Sequence, residues 1–239
     1  MEKIVFDDYK LLSKEIAKEI VMQIKLKPDS IICLAGGDSP KGVYEELVKL
    51  LNNKVNYSKI TFVSLDEWVG LDETEIGSCK QTLYSQLFNK LNLRDEQVLF
   101  FDGKSSNLDN DCLQMTNFIN SMNGIDYLLL GVGMNGHLGF NEPGIRTGNC
   151  SVVNLDDTTK KVMQKYFKKN LKPSQGITLG YNQINSSKKV VLMANGKHKA
   201  RIIKKIIESE PTITIPATLL KLHKNVKIYV DKSADEEEI

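Results

Sequence analysis

The stretch 126-DYLLLGVGMNGHLGFNEPG-144 drives an apolar segment straight into a glycine-rich one, and the fold turns on how it is read. Residues 126–132 are short, apolar and bounded by glycine, the pattern of a strand buried on both faces. Gly131, Gly133 and Gly136 then satisfy the G-x-G-x-x-G spacing of dinucleotide-binding folds, with Asp156 and Asp157 further on as ribose acids. That fingerprint needs a helix directly after its last glycine. Here HLGFNEPGIRTG, residues 137–148, supplies Gly139, Pro143, Gly144 and Gly148 instead, so a loop follows the strand and a nicotinamide site is rejected.

Outward from this stretch, similar apolar runs lie at 30–35 (SIICLA), 60–65 (ITFVSL) and 189–194 (KVVLMA), with further strand candidates at 97–101, 151–155 and 226–230. Helical stripes separate them: Leu12, Ile16, Ile20 and Ile24, closed by Pro28; Val43, Leu47, Leu50 and Leu51; Leu83, Leu87 and Leu91; Ile202, Ile203, Ile206 and Ile207. Strand and helix alternate, which predicts an α/β fold with a mostly parallel sheet in one domain spanning 1–239. Residues 232–239, KSADEEEI, have almost no apolar content and are expected to fray.

The 239 residues are 41% hydrophobic and 26% charged, the balance of an ordinary globular protein rather than a disordered or membrane-embedded one. A net charge of +2 gives little general attraction for nucleic acid, so any anionic ligand should be small and met by local cations. The opening MEKIVFDDYKLLSKEIAKEI lacks the apolar core and cleavage site of a signal peptide, and a cytoplasmic location is expected. Cys33, Cys79, Cys112 and Cys150 are scattered, without CxxC pairs or histidines at zinc spacing, so no structural metal is expected. Cys33 reads as a small core residue.

In open α/β sheets ligands gather beyond the carboxyl ends of the strands, which singles out four segments. Gly36-Gly37-Asp38-Ser39-Pro40 joins a strand to a helix; Ser39 can cap, Pro40 suits the first helical position, and the free amides can hold an anion. Gly196-Lys197-His198-Lys199-Ala200-Arg201 crowds cations where the helix dipole disfavours them, which an anion would resolve. At Leu65-Asp66-Glu67-Trp68 an apolar strand ends in two carboxylates beside the chain's one tryptophan, a place for a proton-transfer base. The 131–144 loop gathers Asn135, His137, Asn141 and Glu142 as an acid/base group.

Together these segments resemble the glucosamine/galactosamine-6-phosphate deaminase (isomerase) family over about residues 10–230. LDEWVGL (65–71), GHLGFNEPG (136–144), GKHKA (196–200) and IPATLLKLH (215–223) carry the likeness, in the family's order. The resemblance implies a Rossmann-like sheet with helices on both faces. It implies Asp66 as the base that moves a proton between C1 and C2, His137 as the group assisting ring opening, and Glu142 as its support. Lys199 and the backbone of Gly37, Asp38 and Ser39 would hold the 6-phosphate; the family's second, arginine-type phosphate contact has no assignable counterpart here, Lys165 being a candidate from its general region. No metal or organic cofactor is implied, and the partner is a small sugar phosphate, not nucleic acid or membrane.

LDEWV, GMNGHLGFNEPG and GSC (77–79) look closest to the galactosamine-6-phosphate isomerase branch, so conversion of galactosamine-6-phosphate to tagatose-6-phosphate and ammonia is expected. Glucosamine-6-phosphate, giving fructose-6-phosphate, is the alternative. Asn135 stands where the glucosamine-6-phosphate enzymes usually carry an aspartate; an amide can orient an imidazole but cannot balance its charge. FNEPG after the histidine speaks against 6-phosphogluconolactonase, and the presence of Asp66, His137 and Glu142 speaks against a catalytically silent binding protein.

Overall fold

The computed structural model describes all residues except 53–54, 168–169 and 237–239. In chain order the elements are β1 (Glu2–Phe6), α1 (Tyr9–Leu26), β2 (Ile31–Leu34), α2 (Lys41–Leu51), β3 (Thr61–Ser64), β4 (Asp66–Trp68), α3 (Cys79–Gln86), β5 (Val98–Leu99) and α4 (Leu108–Ser121). Then follow β6 (Tyr127–Leu130), β7 (Ser151–Asn154), α5 (Asp157–Met163), β8 (Gln175–Thr178), α6 (Tyr181–Ser186), β9 (Val190–Ala194), α7 (Ala200–Glu208), β10 (Val226–Asp231) and α8 (Lys232–Asp235).

Seven strands form one sheet in the order β1-β10-β9-β6-β2-β3-β5, and every ladder in it is parallel. The apolar runs are continuous because both faces are covered. In β2, Ile31 and Cys33 enter one core while Ile32 and Leu34 enter the other; in β6, Leu128 and Leu130 part from Tyr127 and Leu129 in the same way. This is the two-residue period of a strand. Helices α1, α2 and α3 close one face, and α4, α6 and α7 the other. The stripe Leu12, Ile16, Ile20 and Ile24 on α1 is fully buried, and Asp8 caps that helix by accepting the Leu11 N–H.

A second sheet, β4-β8-β7, is antiparallel and sits over the carboxyl edge of the first. It corrects two expectations. The 60–65 strand does not end in the two carboxylates: the chain bends at Leu65, the Ser64 hydroxyl donating to the Asp66 carbonyl at 2.8 Å, and Asp66 begins a strand in the other sheet. Likewise the 151–155 run pairs with β8 rather than with the main sheet. The acidic tail is corrected as well. Residues 232–235 form a helical turn capped by Asp231, with Ala234 buried and ion pairs from Lys3 to Asp235 and from Lys232 to Asp7. Two ion pairs to the N-terminal residues and one buried methyl order a segment whose composition alone predicts fraying. Residues 237–239 of that tail lie outside the described residues.

Candidate active site

Between β2 and β6 the chain leads away in opposite directions, β2 toward β3 and β5, β6 toward β9 and β10. At such a divergence the loops part and leave a crevice at the strand ends. Here it is a cavity of about 600 Å³, walled by segments following β2, β3, β6 and β9 and by α5 with the residues after it.

Asp66 is 8% exposed, and burial raises its carboxyl to about 6, with the Cys79 thiol and the charge of His137 pulling the other way. A carboxyl poised there is ionised enough near neutral pH to take a proton and can hand it back. Its neighbour Glu67 is fully buried and accepts the backbone N–H groups of Trp68, Cys79 and Lys80 at 2.8, 2.9 and 2.8 Å. Burial lifts Glu67 to about 7 against those three donors. The bonds clamp the start of α3 to β4, and they seat Cys79 against Gly36, where an added Cβ would lie 3.3 Å from the cysteine carbons.

After β6 the chain turns tightly, Gly136 N–H donating to the Gly133 carbonyl and Gly133 N–H to that of His137, both at 3.0 Å. No helix follows Gly136, as expected. A Cβ on Gly133 would lie 2.3 Å from His137 Nε2, so the imidazole rests against bare backbone. His137 Nδ1 is 3.1 Å from Glu142 Oε2 and 2.9 Å from Thr159 Oγ1. Burial would raise the Glu142 carboxyl, but the hydrogen bond and charge of His137 outweigh it and hold the group below its ordinary range. Asn135 does not orient the ring directly. Its oxygen accepts the His137 backbone N–H at 3.2 Å, and its amide donates to Glu142 at 3.0 Å, so it braces the carboxylate and the turn.

The anion end departs from expectation in one detail. Pro40 is the residue before α2 rather than inside it, and Ser39 does not cap; its carbonyl instead accepts the Tyr9 hydroxyl at 2.8 Å. Of the first α2 amides, Lys41 donates to the Asp38 carbonyl at 3.3 Å and Gly42 to the Tyr9 hydroxyl at 2.7 Å, so the amides an anion would meet are those of the Gly37–Ser39 turn before the helix. Gly37, at φ 109°, lies in the conformation that favours glycine. Lys199 Nζ donates to the Val132 carbonyl at 2.7 Å; burial lowers its pKa to about 8, and the charge of Lys165 adds to the effect. Lys165 pairs with Asp38 at 2.8 Å, so the Asp38 carboxylate faces this lysine. Burial and the two lysines lower His198 too. Lys165 thus lowers both Lys199 and His198 beside the Gly37–Ser39 turn, a cluster of cations suited to an anion.

Gly37, Asp38, Ser39, Asp66, Asn135, His137 and Lys199 all line the one cavity, and Glu142 stands behind His137, 1% exposed. Lys165 and Cys79 line it too. Sequence reasoning missed Thr159 and assigned Asp156 only to the rejected ribose role. The signal was the run Asp156-Asp157-Thr158-Thr159, a helix start aimed at the histidine loop. Among the described residues no three His, Cys, Asp or Glu side chains converge as a metal site, and no helix is long and apolar enough to cross a membrane.

The family described as glucosamine-6-phosphate isomerases/6-phosphogluconolactonase matches residues 8–229. Glucosamine-6-phosphate deaminase of Clostridium acetobutylicum is 37% identical over 237 residues, covering 98% of both chains. The enzyme of that name from Bacillus pumilus is 38% identical, again over 98% of both. Among solved structures, a monomeric glucosamine-6-phosphate deaminase described as a missing link of the NagB superfamily superposes with a TM-score of 0.94 at 31% identity, over 98% of each chain. 6-Phosphogluconolactonase from Thermotoga maritima superposes at 0.75 with 20% identity, a likeness of fold alone.

Proposed function

The chain belongs to the glucosamine-6-phosphate isomerase/6-phosphogluconolactonase family, and from that membership we propose that it is a hexosamine 6-phosphate deaminase acting on glucosamine-6-phosphate. The observation that carries this reading is one cavity holding a buried carboxyl near pKa 6 at Asp66 together with the Gly37–Ser39 turn and the lysines of an anion site. In this reading the 6-phosphate sits on the Gly37–Ser39 backbone, Lys199 and Lys165. His137, its charge balanced by Glu142, moves the proton that opens the sugar ring. Asp66 then takes the C2 proton of the open-chain aldehyde and returns it to C1; the C2 imine so formed is hydrolysed by water to the ketone and ammonia. A ligand anchored by its phosphate presents few orientations to the carboxylate.

The relatives weigh for the gluco epimer over the galacto epimer to which LDEWV and GSC pointed. The galacto reading is kept as the second one because Cys79 and Asn135, the residues behind it, both line the cavity. Ammonia release from the two epimers, measured side by side, tests both. The expected ratio of kcat/KM favours glucosamine-6-phosphate about ten-fold or more, the scale of one unpaired polar contact, and Asp66→Asn should silence both substrates. A reversed ratio moves the assignment to galactosamine-6-phosphate. Release from neither removes the deaminase reading.

A further inference from the structure

Asn135 is an uncharged residue held between two carboxylates. Its Nδ2 donates to Glu142 Oε2 at 3.0 Å and to Asp156 Oδ1 at 3.2 Å, while its own oxygen holds the His137 backbone. Glu142 belongs to the same loop as His137. Asp156 does not: it precedes α5 and caps it by accepting the Thr158 N–H at 2.8 Å. Thr159 on that helix reaches His137 Nδ1 at 2.9 Å. The start of one short helix thus brings a hydroxyl to the imidazole and a carboxylate to the amide beside it, both from outside the loop.

We propose that Asp156 is a positioning residue for His137, adding through Asn135 a second negative charge that stabilises the imidazolium when α5 is docked on the histidine loop. The functional consequence rests on the ring-opening role of His137 given above. The charged groups that act on the ring are Glu142 from its own loop, Asp66 from β4 and Asp156 from before α5, while Asp38, Lys161, Lys165, His198 and Lys199 line the same cavity. Asn135 supplies no charge, and its single amide joins two carboxylates that repel each other. A proton on His137 relieves that repulsion, and the attraction is mutual: burial would raise Asp156, yet Thr158, Asn135 and the charge of His137 keep its carboxyl low. The docking of α5 and the protonation of the imidazole therefore favour each other.

Asp156 has an independent duty as a helix cap, and the experiment separates the two. Asp156→Asn and Asp156→Ser both keep a capping acceptor and remove the charge. The chain has three histidines, His137, His198 and His223, so the ring signals can be followed by NMR, with His137→Gln to assign them. In both variants the midpoint of the His137 titration should move to lower pH by about half a pH unit, roughly three-fold in proton affinity. His223 should stay unmoved, and Asp156→Glu should restore the midpoint. In turnover the same variants should lower kcat, with the affected limb of its pH profile displaced in the same direction and KM little changed. A His137 midpoint that stays put in both charge-removing variants overturns the proposal and leaves Asp156 a cap. The titration needs no substrate, so it can succeed or fail independently of the deaminase reading.

Discussion

Lys199 pairs burial with a carbonyl contact instead of a carboxylate, and burial therefore sets its charge. With its pKa lowered to about 8, the ammonium is present below that pH and lost as pH rises through it. KM for a sugar 6-phosphate should accordingly climb between pH 7.5 and 9.5, where the phosphate itself stays a dianion. Lys199→Ala should raise KM about ten- to hundred-fold at pH 7, the scale of a charge-assisted contact, and flatten that climb. Initial-rate kinetics across the range decide; a parallel climb in the variant would take the effect from Lys199 and leave it to the amino group of the substrate, because Lys165 is raised and His198 lowered, both away from this range. Asp66, Lys199 and His137 were legible in the sequence because each follows a recognisable apolar strand. Thr159 was not, since its 22-residue separation from His137 is bridged only by β7 folding back over the sheet.

At the scale of elements, the small sheet and α3 are what place Asp66. Glu67 holds three backbone amides in a site without water access, and removing the acceptor orphans all of them. Glu67→Ala should lower stability by about 3 kcal/mol, read from the urea midpoint, while Glu67→Gln, which keeps one accepting oxygen, should cost less. If the alanine variant unfolds at the wild-type midpoint, the clamp is without consequence for the fold. The main-sheet strands 30–35, 60–65, 126–132 and 189–194 were readable because burial on both faces writes an unbroken apolar run. β4 and β8 were not readable: DEW and QGIT have no such run, and their pairing joins residues more than a hundred positions apart. Gly176 in β8 gives a further reason for that pairing, as a Cβ there would meet the Phe140 ring at 2.2 Å, so the bare strand receives the histidine loop.

Across the whole molecule, chemistry and anchoring lie at opposite edges of the sheet. At the amino edge, Asp126 accepts from Lys27 at 2.6 Å, Lys188 at 2.7 Å and the Ile31 N–H at 2.8 Å, joining the segment after α1 to the starts of β2, β6 and β9. Burial opposes its ionisation, but the two lysines and the amide outweigh it and hold the carboxyl below its ordinary value. A depressed acid contributes stability that is whole above its unfolded pKa, near 4, and lost as pH falls through the lower folded value. Asp126→Asn should therefore be less stable by about 1–3 kcal/mol at pH 7, with thermal unfolding that depends less on pH below 4. Equal acid sensitivity in both proteins would place that loss elsewhere.

Trp68, the chain's single tryptophan, is 6% exposed and lies 4.6 Å from Phe140 and 5.6 Å from Phe167. Those rings belong to β4, to the histidine loop and to the segment after α5, three of the parts that wall the cavity. Indole emission follows the polarity and packing of its surroundings. With no other indole to contribute background, the intrinsic fluorescence of this protein is a spectroscopic gauge of its cavity wall, built in without a dye or a label.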